Sequence, residues 1–189
     1  MREGQAKVLN QDELKRLYLI AGSGRHADRD TCLVDFSFKL GLRAKEISAV
    51  MVDDVLDGKG NIVESFYLKA QQAKGDKGRT VFLTNKNVRK NLQQYLATRN
   101  GDLNRHLFKS QKTQFTPNTI QILFSRLYKN AGIVGAKSHS GRRTFATTLI
   151  ENGFDIKSVS VLMGHANIQT TARYIQDNPV QLGKMVAGL

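Results

Sequence analysis

Four side chains in the last third of the chain carry the chemistry of phosphoryl transfer: two imidazoles, a guanidinium and a phenol. They belong to His139, Arg142, His165 and Tyr174. A phenol attacks phosphorus once a base has taken its proton, an imidazole is such a base, and a guanidinium binds charged phosphate oxygens. The set therefore predicts cleavage of a DNA strand by a tyrosine nucleophile, without a metal ion.

His139 and Arg142 lie three residues apart at the start of a predicted helix, with Ser138 or Ser140 as its N-cap. At this spacing both side chains project on one side of the helix N-terminus. Backbone N–H groups and the helix dipole favour a phosphate there. The same pair also fits a surface histidine and arginine without a function.

Two further candidates have both a functional and a structural interpretation. Arg43 lies in a turn between predicted helices, where it fits a phosphate ligand or a solvated arginine paired with Glu46. His165 follows Gly164, which is typical of a helix end, and precedes Asn167, which is typical of an N-cap. A histidine in such a turn is more often structural than catalytic.

The five tyrosines differ in their surroundings. Tyr18, Tyr95 and Tyr128 lie on apolar helical stripes and are predicted to be in the core, and Tyr67 lies in a predicted strand. Tyr174 has polar neighbours. It is the tyrosine best suited to be exposed, and therefore the candidate nucleophile.

The composition indicates a folded protein that binds a polyanion. The chain has 189 residues, and its 29 Lys and Arg exceed its 16 Asp and Glu, which gives a formal net charge of +13. This excess is spread along the chain, which favours nucleic acid over an anionic membrane surface or a merely soluble basic protein. The single cysteine excludes an intramolecular disulfide, and no run of about 18 apolar residues is present, so we expect a cytoplasmic protein without a membrane anchor.

The apolar spacing predicts a mostly α (α+β) fold with one small antiparallel sheet. Helical periods occur over about 11–20, 28–40, 44–50, 88–96, 120–127, 140–152, 156–163 and 168–174, with a last short helix after Pro179. The helix at 28–40 is apolar on most faces and is predicted to be central. Two β-rich runs, 62–68 and 80–83, flank a basic glycine-containing loop and predict a hairpin. A single domain over 1–189 is expected.

The order and spacing of the motifs resemble those of the tyrosine recombinases, the phage integrase family, in their catalytic domain. The resemblance runs from about Val8 to Tyr174. It rests on Gly41-Leu42-Arg43 with Glu46-Ile47, Lys74-Gly75 before Arg79, His139-x-x-Arg142 followed by Thr144 to Thr147, Leu162-Met163-Gly164-His165, and Thr170-Thr171-x-x-Tyr174.

The resemblance implies a site made of Arg43, Lys74, His139, Arg142, His165 and Tyr174. Lys69 and Lys77 lie in the same loop as Lys74, and the lysine-glycine match favours Lys74. In this family the arginines hold the phosphate, the hairpin lysine protonates the leaving 5′ oxygen, and the tyrosine forms a 3′-phosphotyrosyl bond. No metal or nucleotide cofactor is implied.

The chain departs from the family at a few places. Gly141 stands where a leucine is usual, and Arg143 stands where a histidine is common. Only about forty residues precede Arg43, so by the resemblance we expect no N-terminal clamp domain here, either in a natural single-domain recombinase or in a piece of a longer protein. We therefore expect weaker DNA binding and a greater need for an oligomer or an accessory DNA-bending protein.

The implied partners are double-stranded DNA and further copies of the chain. The family forms a tetrameric synapse on DNA, and the free protein is expected to be mainly monomeric. The tail at 179–189 resembles the family's C-terminal helix, which docks in trans on a neighbouring subunit. Its alternative is a helix folded on its own core.

Three other functions remain open. A catalytically idle DNA-binding regulator would share the fold, and a type IB topoisomerase-like relaxing enzyme would share the residues. A metal-dependent nuclease needs clustered carboxylates. Asp53, Asp54 and Asp57 are close in sequence, but they are predicted to form a solvated turn without a histidine beside them.

Overall fold

The computed structural model describes residues 6–69, 78–99, 105–110 and 113–172. Within these ranges nine helices and two strands follow in order: α1 Gln11–Ser23, α2 Ala27–Phe38, α3 Ala44–Ala49, α4 Val52–Val55, β1 Ser65–Leu68, β2 Arg79–Phe82, α5 Lys86–Ala97, α6 Pro117–Asn130, α7 Ser140–Glu151, α8 Ile156–Met163 and α9 Gln169–Ala172. The predicted mostly helical fold with one small antiparallel sheet is confirmed.

Helix α2 is the central helix, as its apolar sequence predicts. Nine of its twelve residues are buried, and it packs against α1, α3, α5 and α7. It ends at Phe38, two residues earlier than predicted, and Gly41 follows with a φ of 66°. A Cβ atom at Gly41 would lie 2.5 Å from a ring carbon of Phe145, so glycine alone fits this turn. The turn directs the chain into α3.

The hairpin strands pair in antiparallel fashion, from Ser65 opposite Phe82 to Leu68 opposite Arg79. Their side chains alternate between the core and solvent, so Phe66 is buried while Tyr67 is 61% exposed. Tyr67, which was predicted only to lie in a strand, is therefore an exposed tyrosine on the outward face of that strand. The predicted core positions of Tyr95 and Tyr128 are confirmed, and Tyr18 is partly buried against Asp35.

Helix α7 lies directly on α2 at Gly141. A Cβ atom at this position would overlap the Ser37 hydroxyl and lie 2.8 Å from the Phe38 ring. The leucine that is usual in the family has no room here. Gly141 therefore allows the close approach that places the next residue, Arg142, against the end of α2.

One local prediction was wrong and another held in part. The N-cap of α7 is His139, and neither Ser138 nor Ser140 caps it, because the Ser140 hydroxyl accepts from the backbone N–H of Lys137 instead. Asp53 and Asp54 lie in the one-turn helix α4, where the Asp54 carboxylate accepts from the N–H of Met51, whereas Asp57 is exposed and begins a turn, as expected. Among the described residues no helix is long and apolar enough to cross a membrane.

Candidate active site

The centre of the site is the carboxylate of Glu46, in the first turn of α3. Glu46 is fully buried. Its Oε2 accepts from the backbone N–H of Arg43 at 2.7 Å, and its Oε1 accepts from Nη1 of Arg43 at 2.7 Å. Arg43 is the N-cap residue of α3, so the start of this helix holds both the carboxylate and the guanidinium in one place.

A second arginine reaches the same carboxylate from the hairpin. Arg79 is the first residue of β2 and is 6% exposed. Its Nη1 donates to Oε1 of Glu46 at 2.7 Å and its Nη2 donates to Oε2 at 2.9 Å. This is a two-point fork, the strongest geometry of an arginine with a carboxylate.

Arg142 is oriented by backbone carbonyls. Its Nη1 donates to the carbonyl of Gly41 at 2.6 Å, and its Nη2 donates to the carbonyl of Met163. The same Nη1 lies 3.7 Å from Oε2 of Glu46, which is ion-pair distance without a hydrogen bond. Arg142 is 3% exposed, so the ends of α2 and α8 fix it where α7 begins.

Arg43, His139 and Arg142 line one cleft with a volume of about 200 Å³. Glu46 lies in the wall of this cleft, together with Ser138 and residues of α3 and α6. The cluster holds three guanidinium groups against one carboxylate. The excess positive charge in a partly enclosed place favours an anion such as a phosphate.

Glu46 stays ionised although it is buried. Burial alone would raise the pKa of its carboxyl, but the hydrogen bonds and charge of Arg79, with the charge of Arg142 and the N–H of Arg43, lower the pKa to about 2. The carboxylate is therefore negative throughout the physiological range. It keeps the neighbouring arginines together without cancelling their combined charge.

His165 follows the end of α8. Gly164 has a φ of 58° and ends the helix, and Nδ1 of His165 lies 2.7 Å from the hydroxyl of Thr171. The Asn167 side chain accepts from the backbone N–H of Gln169, the first residue of α9. Burial and the charges of Arg142, Arg43 and Arg79 lower the pKa of His165 to about 4, so its imidazole is neutral at pH 7.

The structure brings four of the six predicted site residues together: Arg43, His139 and Arg142 in the cleft, and His165 within the field of the two arginines. Lys74 and Tyr174 lie outside the described residues, as do the alternative lysine Lys77 and the tail at 179–189. From the sequence, a pairing of Arg43 with Glu46 was the alternative to phosphate binding. In the structure Arg43 pairs with Glu46 and also lines the cleft.

Sequence reasoning missed the roles of Arg79 and Thr171. A signal for Arg79 was present, because it lies two residues before Val81 and therefore on the same inward face of β2. A charged residue on a core-facing position of a strand requires a buried partner.

No group of three or more metal-binding side chains occurs in the described part of the chain.

A helical fold with one hairpin, and arginines gathered around a buried glutamate beside two histidines, define the catalytic domain of a tyrosine recombinase. Residues 7–180 match the model of the phage integrase family, and the chain belongs to that family.

Named relatives agree with this assignment. The chain is 30% identical over 172 residues to the tyrosine recombinase XerA of Pyrococcus horikoshii, which covers 89% of this chain and 56% of that protein. A crystal structure of XerA recombinase matches with a TM-score of 0.81 at 30% identity, covering all of this chain and 65% of that one.

A second structure shows the same fold at lower identity. The XerH site-specific recombinase bound to palindromic difH substrate matches with a TM-score of 0.76 at 24% identity, covering 96% of this chain and 52% of that one. The chain thus spans between half and two thirds of the length of these relatives.

Proposed function

We propose that this protein is a site-specific DNA recombinase that cuts and rejoins DNA strands through a 3′-phosphotyrosyl intermediate. The observation that carries the proposal is the cleft in which Arg43, Arg142 and His139 meet beside the buried Glu46, in a chain of the phage integrase family. Relatives named as tyrosine recombinases, and the related structure of the XerH site-specific recombinase bound to difH substrate, support it.

In the proposed reaction the phenol oxygen of Tyr174 attacks the scissile phosphorus while His139 takes the phenol proton. The bond from phosphorus to the 5′ oxygen breaks, and Lys74 gives that oxygen a proton. Arg43 and Arg142 neutralise the charge that grows on the non-bridging oxygens. Attack by the 5′ hydroxyl of another strand reverses these steps and joins the new pair of strands. Both the phosphate charge and the protons are handled by side chains, so no metal or nucleotide cofactor is needed.

His165 supports the same oxygens as a neutral hydrogen-bond donor. With a pKa of about 4 it carries no charge at pH 7. Its Nδ1 faces the Thr171 hydroxyl, which leaves the proton on Nε2 when the hydroxyl donates. A donated hydrogen bond, and not a third cation, is therefore its proposed contribution.

We further propose that the active assembly is a tetramer on two double-stranded DNA sites, that the free chain is mainly monomeric, and that 1–189 acts as one catalytic domain. The tail at 179–189 would dock in trans on a neighbouring protomer, in a head-to-tail contact that closes into a ring. An accessory DNA-bending protein would assist where the chain alone holds DNA weakly. Because the substrate is cellular DNA, we place the reaction in the cytoplasm, at the nucleoid.

The test is covalent capture on nicked suicide DNA from the native locus, followed by denaturing electrophoresis in excess EDTA. The wild-type protein should form a stable protein–DNA adduct. Tyr174→Phe should form none, while its DNA affinity stays the same, because only the nucleophilic oxygen is lost. Tyr67→Phe, the matched exposed tyrosine, should retain the adduct.

Adduct formed by Tyr174→Phe but not by Tyr67→Phe or Tyr128→Phe would move the nucleophile to the tyrosine whose loss abolishes it. Binding without any adduct in the wild type would favour the idle regulator. Adduct with relaxation of supercoils but no exchange between two sites would favour the topoisomerase-like enzyme. Loss of cleavage in EDTA that magnesium restores would instead indicate a metal-dependent nuclease.

The role of Lys74 has its own test. Lys74→Ala should cleave ordinary DNA at least about 100-fold more slowly, the range for removal of a general acid. A substrate with sulfur at the leaving 5′ position should restore the rate, because a thiolate leaves without a proton. Lys77→Ala is the matched control and should cleave both substrates. Rescue of Lys77→Ala in place of Lys74→Ala would assign the role to Lys77.

A further inference from the structure

We propose that Arg79 is a positioning residue for the two phosphate-binding arginines: by occupying both oxygens of Glu46, it keeps Arg43 and Arg142 directed into the cleft. This inference rests on the proposed function and adds a residue that does not itself touch DNA. The evidence for this inference is the set of hydrogen bonds that the Glu46 carboxylate accepts.

Arg79 is built to hold the Glu46 carboxylate. Both terminal nitrogens donate, at 2.7 and 2.9 Å, to the two different oxygens. Its side chain is 5% exposed, and Nε has no hydrogen-bond partner among the described residues, so the fork to Glu46 is its main polar contact there. A buried ion pair is weak evidence for a stabilising role, because desolvation offsets its attraction, and this favours a role in fixing geometry.

The backbone at Gly164 packs closely against the side chain of Arg79. A Cβ atom at Gly164 would lie 2.8 Å from Cδ of Arg79, and Gly164 has a φ of 58°. The arginine stem therefore packs against the turn that carries His165. Arg79 also pairs with Leu68, the strand pair next to the segment that connects β1 to β2. It thus joins the hairpin, α3 and the turn after α8 at one carboxylate.

Without Arg79 the Glu46 carboxylate would draw the neighbouring guanidinium groups towards itself. An ionised carboxylate accepts about four hydrogen bonds, and loss of the fork would leave two of them vacant on a buried charge. Nη1 of Arg142 is already 3.7 Å from Oε2, so a movement of about 1 Å would make a direct hydrogen bond. That movement would strain its bond to the Gly41 carbonyl and turn the guanidinium away from the phosphate.

Arg43 would respond in the same direction. It already donates to Oε1 at 2.7 Å, the oxygen that it shares with Arg79. With Arg79 gone, the local charge falls from three cations against one anion to two against one. Both remaining arginines would then be held more tightly by Glu46, and the field at the scissile phosphate would weaken.

The experiment compares Arg79→Met and Arg79→Lys with wild type on three suicide substrates. The first is ordinary DNA. The second carries a methylphosphonate at the scissile position, which removes the charge that the arginines neutralise. The third carries sulfur at the leaving 5′ position, which removes the need for the general acid. Arg142→Ala and Lys74→Ala serve as references for rescue by the second and third substrates.

We expect Arg79→Met to form adduct on the order of 100-fold more slowly on ordinary DNA, the effect of a displacement of about 1 Å in a catalytic group. On methylphosphonate DNA its deficit should shrink to within about 3-fold of wild type, as for Arg142→Ala, and sulfur should give no such recovery. Arg79→Lys keeps the buried charge but not the fork, so it should show the same pattern with a smaller deficit.

Arg29→Met is the matched control for loss of a buried arginine. Arg29 is 9% exposed and pairs with Asp30 at 2.7 Å, at the opposite end of α2 from the site. It should lose stability without a substrate-dependent change in rate. If Arg79→Met impairs folding, as judged by circular dichroism, Arg79→Lys is compared with wild type on the three substrates instead.

Rescue of the Arg79 variants by the sulfur substrate alone would overturn the inference. It would show that Arg79 positions the general acid, the hairpin lysine, and not the two arginines. Equal deficits on all three substrates, or the same pattern for Arg29→Met, would reduce Arg79 to a structural role. In each of these cases wild-type adduct through Tyr174 would leave the proposed function standing. Absence of wild-type adduct on ordinary DNA would remove the proposed function and the inference together.

Discussion

At the residue scale, the site shows how several arginines are kept together in a protein interior. Like charges repel, and each guanidinium loses hydration on burial, so the arginines need an anion and fixed acceptors. Glu46 supplies the anion, and the carbonyls of Gly41 and Met163 supply acceptors for Arg142. For Arg43 the sequence left two alternatives open, a phosphate ligand or a partner of Glu46. The structure shows the pairing with Glu46, and because one guanidinium carries several donors, this pairing is compatible with the proposed role as a phosphate ligand.

His165 gives a prediction about acid stability. Its folded-state pKa of about 4 is below its ordinary value of 6.5. Between these values the unfolded chain binds a proton that the folded chain excludes, so the stabilisation is complete above pH 6.5 and is lost as the pH falls towards 4. Urea unfolding at pH 7.5 and pH 5 should therefore show a loss of about 1 to 2 kcal/mol that is specific to this residue.

The control for that measurement is His165→Asn, which has no group that titrates in this window. Its free energy of unfolding should fall less between the two pH values than that of the wild type. An equal fall in both proteins would show that the neighbouring arginines do not depress the pKa of His165.

At the element scale, two glycines decide how closely the helices that carry the site approach each other. Gly41 turns the chain out of α2 beneath the Phe145 ring, and Gly141 lets α7 lie on Ser37 and Phe38. Arg142 follows Gly141 directly and bonds to the carbonyl of Gly41. The position of this guanidinium therefore depends on the distance between α2 and α7.

Gly141→Ala should destabilise the protein although alanine favours helices. The gain in helix propensity is about 1 kcal/mol, whereas overpacking a core contact costs about 1 to 3 kcal/mol, and here the added methyl group overlaps Ser37. We expect a net loss of up to about 2 kcal/mol in urea unfolding, with slower adduct formation because Arg142 shifts.

Gly24→Ala is the matched control. Gly24 has a φ of −86° and nothing within 4 Å of an added Cβ atom, so its replacement should leave stability unchanged within about 0.5 kcal/mol or raise it slightly. If Gly141→Ala were as stable as Gly24→Ala, α7 would have room to move away from α2 without penalty.

At the scale of the whole molecule, the net charge and the C-terminal tail bear on the proposed DNA binding and assembly. A net charge of +13 favours the proposed association with DNA, but it does not explain how protomers would join. The tail at 179–189 carries apolar residues at helical spacing: Val180, Leu182, Met185, Val186 and Leu189. This stripe is the basis for proposing that the tail links protomers.

Truncation after Asn178 should spare folding and single-site cleavage, because the proposed catalytic residues remain, and should suppress synapsis and strand exchange. Thermal unfolding, suicide-substrate cleavage and a two-site recombination assay measure the three properties separately. A truncated protein that unfolds would assign the tail to its own core. One that recombines as well as the full chain would show that the tail does not join protomers.

The sequence by itself determined the helical periods, the hairpin and the family. Each of these follows from local spacing: α8 lies over Ile156–Met163 as the apolar period predicts, and the motif order from Arg43 to His165 needs no tertiary information. The central position of α2 was also predictable, because a helix that is apolar on most faces must be surrounded.

Only the tertiary structure decided how the site is held. Glu46, Arg79 and Arg142 are separated by 33 or more positions in the chain, and their convergence depends on how α3, β2 and α7 pack. The cap of α7 was likewise settled by packing, which selects among local alternatives of similar energy. A pattern along the sequence records which residues favour burial, but the partner that a buried charge finds depends on contacts between distant segments.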